Sequence, residues 1–198
     1  MILTTSFDYL YFAGSKGTIV HYDGRSWRRI ESGTDLPIQD IWGSKNIKTG
    51  QWHILCAVSP GYGITDAGIL HVREDNTVDK LPWVSGRAVH SVWFNDPSFI
   101  FTSGSGILRW TPLGKWAEMG GADVIPANTR SIRGIAENDF FVVSDFGHIG
   151  HYNGVSFRVM QPNPDILFYS CDYRNNVMVA VGEDGRNAYV VVLRQKAY

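Results

Sequence analysis

The sequence predicts an all-β fold, a β-propeller of about five blade-like four-stranded antiparallel repeats. Three observations carry that expectation. Glycine is abundant (21 residues) alongside 7 Trp, 9 Tyr and 10 Phe, and the apolar runs are short, as in many brief strands joined by tight turns. No window of useful length shows helical periodicity, whereas TIVHYDG and GHIGHYN alternate apolar and polar residues as half-buried strands do. Above all, the chain repeats itself.

The repeat is seen by aligning YLYFAGSKGTIVHYDGRSWRRI from Tyr9, FIFTSGSGILRWTPLGKWAEM from Phe99, FFVVSDFGHIGHYNGVSFRVM from Phe140 and VMVAVGEDGRNAYVVVL from Val177. HILCAVSPGYGITDAGILHVREDNTVDKL from His53 is a further copy with a longer first turn. The glycines that open the second run, Gly17, Gly68, Gly106, Gly147 and Gly185, recur about every 40 residues, the longest interval being stretched by NIKTGQ and PGYGITDA. A further run precedes most copies: PIQDIWG, AVHSVWF, RSIRGIA and ILFYSCD. Each unit therefore reads as strands A, B, C and D linked by Gly, Asp and Asn hairpins, the signature of a propeller blade.

The units fall at about 1–36, 37–87, 88–129, 130–165 and 166–198, within a single domain. The first lacks strand A unless residues 2–6 supply it, and the last stops after strand C at Leu193, for about nineteen strands. Such a chain is either a compact five-bladed ring or part of a larger propeller, and an open ring would expose apolar sheet faces that favour association.

Composition excludes several classes. Formal net charge is −1, with 18 Lys and Arg scattered rather than clustered, so no nucleic-acid partner is expected. No apolar window approaches the roughly 18 residues of a membrane span, and MILTTSFDY has neither the basic start nor the apolar core of a signal peptide. Cys56 and Cys171 sit in apolar strand-like runs, as buried unpaired thiols do.

IQDIWGS followed by GSKGTIVHYDGRSW and ESGTDLP, with VAVGEDGRNAYVVVLRQK at the end, resembles bacterial propeller proteins often labelled glucosyltransferases. More distantly it resembles the BNR and photosystem-assembly-factor propellers. The resemblance spans essentially the whole chain. It implies a propeller fold, export from the cytoplasm and a position in the C-terminal part of a longer protein. The transferase label finds no support in the residues: no strand-to-helix Gly loop and no DxD triplet is present to hold a nucleotide diphosphate. HYDGRSW is also similar to the sialidase Asp-box, one residue short between Asp23 and Trp27, and such boxes build turns.

Most chemistry-bearing residues read as repeat consensus. His21, His71 and His151 share one position in strand C, taken by Arg109 in another blade, and the rotation between blades keeps them from sharing a metal. Neither His53 nor His90 belongs to an HxH or HExxH motif, so no metal, cofactor or catalytic residue is assigned. Trp27, Trp116 and Phe157 open strand D and are expected to wedge between blades, as are Trp42 and Trp93 at the end of strand A. The aspartates, Asp40 among them, are expected mostly in turns.

The non-repeating parts carry the functional expectation. Loops 32–37, 83–88, 120–129 and 161–166 (D to A) and 14–17, 59–67, 103–106, 144–148 and 182–187 (B to C) should share one face around the channel. With the strands beneath, they make Tyr62, Asp66, Trp83, His90, Arg133, Asp145 and His148 the candidate binding residues. The expected function is non-enzymatic recognition of a protein or glycan, Tyr62 and Trp83 being the platform for a glycan. The alternative is a glycoside hydrolase or lyase with a carboxylate pair about 5–9.5 Å apart at the channel mouth.

Overall fold

The structure, a computed structural model, describes residues 1–6, 9–46, 48–60, 66–111 and 113–195, with the side chains of residues 4–6 and 9 left aside. Nineteen strands form five antiparallel sheets among these residues. The first holds β1 (Ile2–Ser6), β2 (Tyr9–Ala13), β3 (Ile19–Tyr22) and β4 (Trp27–Ile30). The second holds β5 (Ile38–Lys45), β6 (Trp52–Val58), β7 (Gly68–Val72) and β8 (Val78–Leu81). β9 (Val89–Trp93), β10 (Phe101–Gly104), β11 (Gly106–Trp110) and β12 (Trp116–Gly120) form the third. β13 (Thr129–Ala136), β14 (Asp139–Ser144), β15 (Ile149–Tyr152) and β16 (Phe157–Met160) form the fourth. Among the described residues the fifth has β17 (Leu167–Arg174), β18 (Val177–Glu183) and β19 (Ala188–Arg194).

Within each sheet the strands pair in sequence order, so every connection is a hairpin and every sheet is a blade. The hairpins follow from local chemistry. Asp23 accepts the backbone N–H groups of Arg25 and Ser26, and Asn153 accepts those of Val155 and Ser156, closing the C-to-D turns of blades 1 and 4. In the B-to-C turns of the same blades, Lys16–Gly17 and Phe146–Gly147 adopt the same left-handed pair of conformations (φ 54° and 58°; 57° and 69°). No helix among the described residues is long and apolar enough to cross a membrane.

Blades stack through their inner strands in the order β1, β5, β9, β13, β17, and no comparable packing joins β17 back to β1 among the described residues. The apolar core is therefore divided into slabs between neighbouring blades. Ile19, Ile30, Ile41, Cys56 and Val72 fill the first, and Phe141, Ile149, Phe168, Tyr173 and Met178 the last. Cys56 and Cys171 are buried and unpaired, and burial pushes the Cys171 thiol up to about 11, which leaves it protonated and unreactive at neutral pH.

The expected wedges divide by position. Trp93 is fully buried, Trp116 packs on Trp83 and Trp110, and Phe157 packs on Phe140 and Tyr152. Trp27 corrects the expectation: it is 59% exposed. The leading residue of strand D faces the preceding blade, and no blade among the described residues precedes the first, so the Tyr22–Trp27 pair lies uncovered. Val190 and Val192 are exposed at the other end of the array.

Candidate functional site

In each of blades 2 to 5 the inner strand carries a one-residue bulge at the same place. Its pairing with strand B skips Gln39, His90, Arg130 and Tyr169, because Ile38 and Asp40, Val89 and Ser91, Thr129 and Ser131, and Phe168 and Ser170 face consecutive partners. A bulge turns the skipped side chain out of the sheet alternation. Each skipped side chain reaches the rim formed by the B-to-C turns and D-to-A connections. Gln39 donates to the Ser59 carbonyl at 2.9 Å, and His90 Nδ1 meets the Thr129 carbonyl at 3.1 Å. Arg130 binds both oxygens of Asp145 at 2.7 and 3.0 Å, and the Tyr169 hydroxyl donates to Glu183. The four form a row of amide, imidazole, guanidinium and phenol across four blades.

The expected face is assembled as the loops implied. Gly17 N–H donates to the Leu36 carbonyl of the following D-to-A connection, while Ser105 N–H donates to Ala88 and Asp145 N–H to Asn128 in the preceding ones, so each of these B-to-C turns is tied to a neighbouring D-to-A connection. The long segment 121–128 is anchored: Ile125 is buried in the slab between blades 3 and 4, above Gly150, where any side chain would collide with it. Beneath this segment a cavity of about 520 Å³ is lined by Arg87, Glu118, Pro126, Asp145 and Phe146.

Of the sequence-nominated residues, His90, Asp145 and His148 come together here. His90 lies within electrostatic range of Arg130 and Asp145, and His148 Nδ1 lies 3.2 Å from the Asp145 carbonyl oxygen. Asp66 and Trp83 meet elsewhere, beside a depression of about 710 Å³ on blade 2. Trp83 donates its indole N–H to the Arg87 carbonyl at 2.8 Å and packs edge-on against Trp116. Tyr62 lies outside the described residues.

Arg133 sits below the row, 7% exposed, with its guanidinium bound to both Asp40 oxygens at 2.9 Å and to the Ser91 hydroxyl and Ile132 carbonyl. The Trp42 ring lies 4.7 Å from the guanidinium carbon. Asp40 is accordingly not a turn residue: it is buried in strand β5 and links three blades. It also belongs to a latch that repeats around the array. Asp40, Ser91 and Ser131, each just after a bulge, accept the backbone N–H of Val92, Ile132 and Cys171 respectively, each on the next blade. The signal was present in the aligned runs QDI, HSV, RSI and YSC, but alignment alone does not say what an Asp or Ser there binds.

His21, His71 and His151 occupy equivalent register positions opposite Tyr11, Leu55 and Phe141, with Arg109 opposite Phe101. His21 stacks on Tyr11 and His151 on Phe141, both at 4.3 Å. Burial pulls His21, His71 and His90 below the ordinary histidine value. Because the unfolded chain binds protons first as pH falls, these residues contribute stability above about pH 6.5 that is lost on acidification through that value. The denaturation midpoint is therefore expected to be lower at pH 5 than at pH 7.5, and His90→Gln to shrink the difference. An unchanged difference in the variant would assign it to other groups.

No family model matches the chain, and no curated protein matches it. Among solved structures, a YCF48 bound to D1 peptide superposes with a TM-score of 0.70 at 12% identity, over 98% of this chain and 63% of that one. The WD40 repeats of RRP9 give 0.70 at 12% over 94% and 58%, and the computationally designed Ika8 protein 0.67 at 12% over 96% and 57%. The chain spans less than two thirds of each of these three neighbours. At this identity the likeness establishes the propeller fold.

Proposed function

We propose that this propeller is a non-enzymatic scaffold that holds an extended segment of a protein partner across the bulge row at the channel mouth. The observation that carries the reading is the row itself. Gln39, His90, Arg130 and Tyr169 are delivered from four blades by one repeated backbone irregularity, and their mixture of donors, acceptors and rings suits a peptide backbone with varied side chains. The YCF48 structure bound to a peptide shows that a chain of this fold can be captured with such a ligand, which supports the choice.

A protein partner is preferred to a glycan because Trp83 already gives its indole N–H to the Arg87 carbonyl and packs its ring against Trp116. It is preferred to glycoside chemistry because both oxygens of Asp145 are held by Arg130 and Glu183 is bound by the Tyr169 hydroxyl, so neither carboxylate stands free for acid–base work. The IQDIWGS and GSKGTIVHYDGRSW pattern supports kinship with exported bacterial propellers, and His148, beside Asp145, flanks the contact surface.

Selection from a displayed random-peptide library tests the reading. Peptides enriched on the wild-type chain are expected to lose at least tenfold in affinity for Gln39→Ala/His90→Ala/Tyr169→Ala. That variant leaves the buried latches intact. Enriched peptides that bind the variant equally well, or a library yielding none while a glycan array does, would overturn it.

A further inference from the structure

The cavity of about 520 Å³ beneath segment 121–128 adjoins the bulge row, because Asp145 in its lining is the residue that Arg130 binds. Two of its charged residues are peculiar to blade 3. Glu118 pairs with Leu108 in strand D, where blades 1, 2 and 4 carry Arg29, Lys80 and Val159 at the same register. Arg87 stands two residues before Val89 of strand A, where blades 2, 4 and 5 have Leu36, Ala127 and Ile166. Neither charge belongs to the blade consensus.

The two are paired, but not completely. The Arg87 guanidinium donates to Glu118 Oε2 at 2.6 Å and to the Ser105 carbonyl at 2.9 Å. Glu118 Oε1 accepts no hydrogen bond from a described residue. It lies beside Gly121, where a methyl group would come within 2.5 Å of it. Gly121 has no positive φ, so the glycine serves the space around this oxygen rather than the backbone.

The opposite character comes from Pro126 and Phe146. Phe146 is 58% exposed and holds a φ of 57°, a conformation that disfavours a bulky residue. In blade 1 the same place in the turn is filled by Lys16, so the turn itself does not call for an aromatic. The cavity therefore combines an apolar wall with one open carboxylate oxygen. A lysine matches both, with a four-carbon stem for the wall and a point-charge ammonium for the oxygen. A guanidinium pairs best with both oxygens of a carboxylate, and Oε2 is already taken. An acidic side chain would meet the carboxylates of Glu118 and Asp145.

We propose that this cavity is the specificity pocket for a lysine of the partner, its stem along Phe146 and Pro126 and its ammonium on Glu118 Oε1. The inference rests on the reading that a protein segment lies across the bulge row, and it names one side chain of that segment.

The probe is the most enriched peptide from a displayed library of random twelve-residue sequences, synthesised and titrated against the whole chain by calorimetry. A lysine is expected at a fixed position in the enriched set. Replacing it with norleucine, which keeps the stem and removes the charge, should weaken binding at least fivefold, and arginine should weaken it severalfold. On Glu118→Gln, which leaves Arg87 an acceptor, the lysine and norleucine peptides should bind alike. Phe146→Ala should weaken both. Gly121→Ala, which displaces Oε1 without removing a charge, should weaken the lysine peptide alone, and provides a second variant should Glu118→Gln disturb the fold. Peptides lost on Gln39→Ala/His90→Ala/Tyr169→Ala but without a fixed lysine, or with a lysine indifferent to both Glu118→Gln and Gly121→Ala, would overturn this inference and leave the bulge row standing. A library yielding no enriched peptide would overturn both.

Discussion

Asp40→Ala is expected to lower the unfolding free energy by about 3–5 kcal/mol, the range seen when one partner of a buried ion pair is removed. Arg133 is 7% exposed, and its guanidinium donates two hydrogen bonds to Asp40, so deleting the carboxylate strands a charge in the interior. Burial works against that charge, and Asp40 more than offsets it: the arginine is held above its ordinary value. The same substitution removes the acceptor for Val92 N–H and for the Ser91 hydroxyl, which in turn accepts from Ile132 N–H, so the damage spreads across blades 2, 3 and 4. Asp40→Leu/Arg133→Met, which removes both charges and keeps apolar volume, should recover much of the loss. Chemical denaturation of the wild type, both single variants and the double variant measures the coupling. A coupling below about 1 kcal/mol would show that the pair positions the blades without stabilising them.

Gly147→Ala is expected to cost about 3 kcal/mol or more, from two independent causes. Its φ of 69° is a conformation that costs a non-glycine residue roughly 1–2 kcal/mol. In addition, a methyl group built there would lie 1.8 Å from the Asn163 carbonyl oxygen, so the D-to-A connection would have to move. Gly185 separates the two terms. It has φ 81° with nothing within 4 Å of a built methyl, so Gly185→Ala should show only the conformational cost. Gly17, whose methyl would lie 1.8 Å from the Thr34 carbonyl oxygen, should behave like Gly147. Equal losses at Gly147 and Gly185 would refute the steric part. The three variants together measure how tightly the B-to-C turns are docked on the face proposed to bind a partner.

What was legible in the sequence is what depends on neighbours along the chain. Alternation, the Asp23 and Asn153 turns, and the recurrence of strands A to D all arise from interactions spanning a few residues, so five sheets and about nineteen strands could be read out. His90, Asp145 and His148 could be nominated because the fold class itself says which loops share a face. Arg130, the residue that binds Asp145, and Tyr169 went unnamed. The bulge that turns them toward the mouth is a mismatch between two strands and leaves no mark in one strand alone.

The errors share a physical origin. Local sequence groups Asp40 with the turn aspartates, yet its partner Arg133 is 93 residues away and reaches it only when blade 4 is seated across blade 3. Trp27 carries the same local pattern as Trp116, and the pattern was sound. Whether a strand-D aromatic is buried depends on the blade in front of it, and among the described residues Trp116 has one while Trp27 does not.

By itself, then, the sequence determined the blade: its strands, its turns and the order in which blades follow one another. Only the tertiary structure decided which faces are covered, which buried charges meet and which side chains reach the channel mouth. Blade formation rests on short-range backbone pairing that each repeat encodes for itself. Those other choices rest on contacts between repeats, whose energy depends on what the neighbouring blade brings to the same point in space.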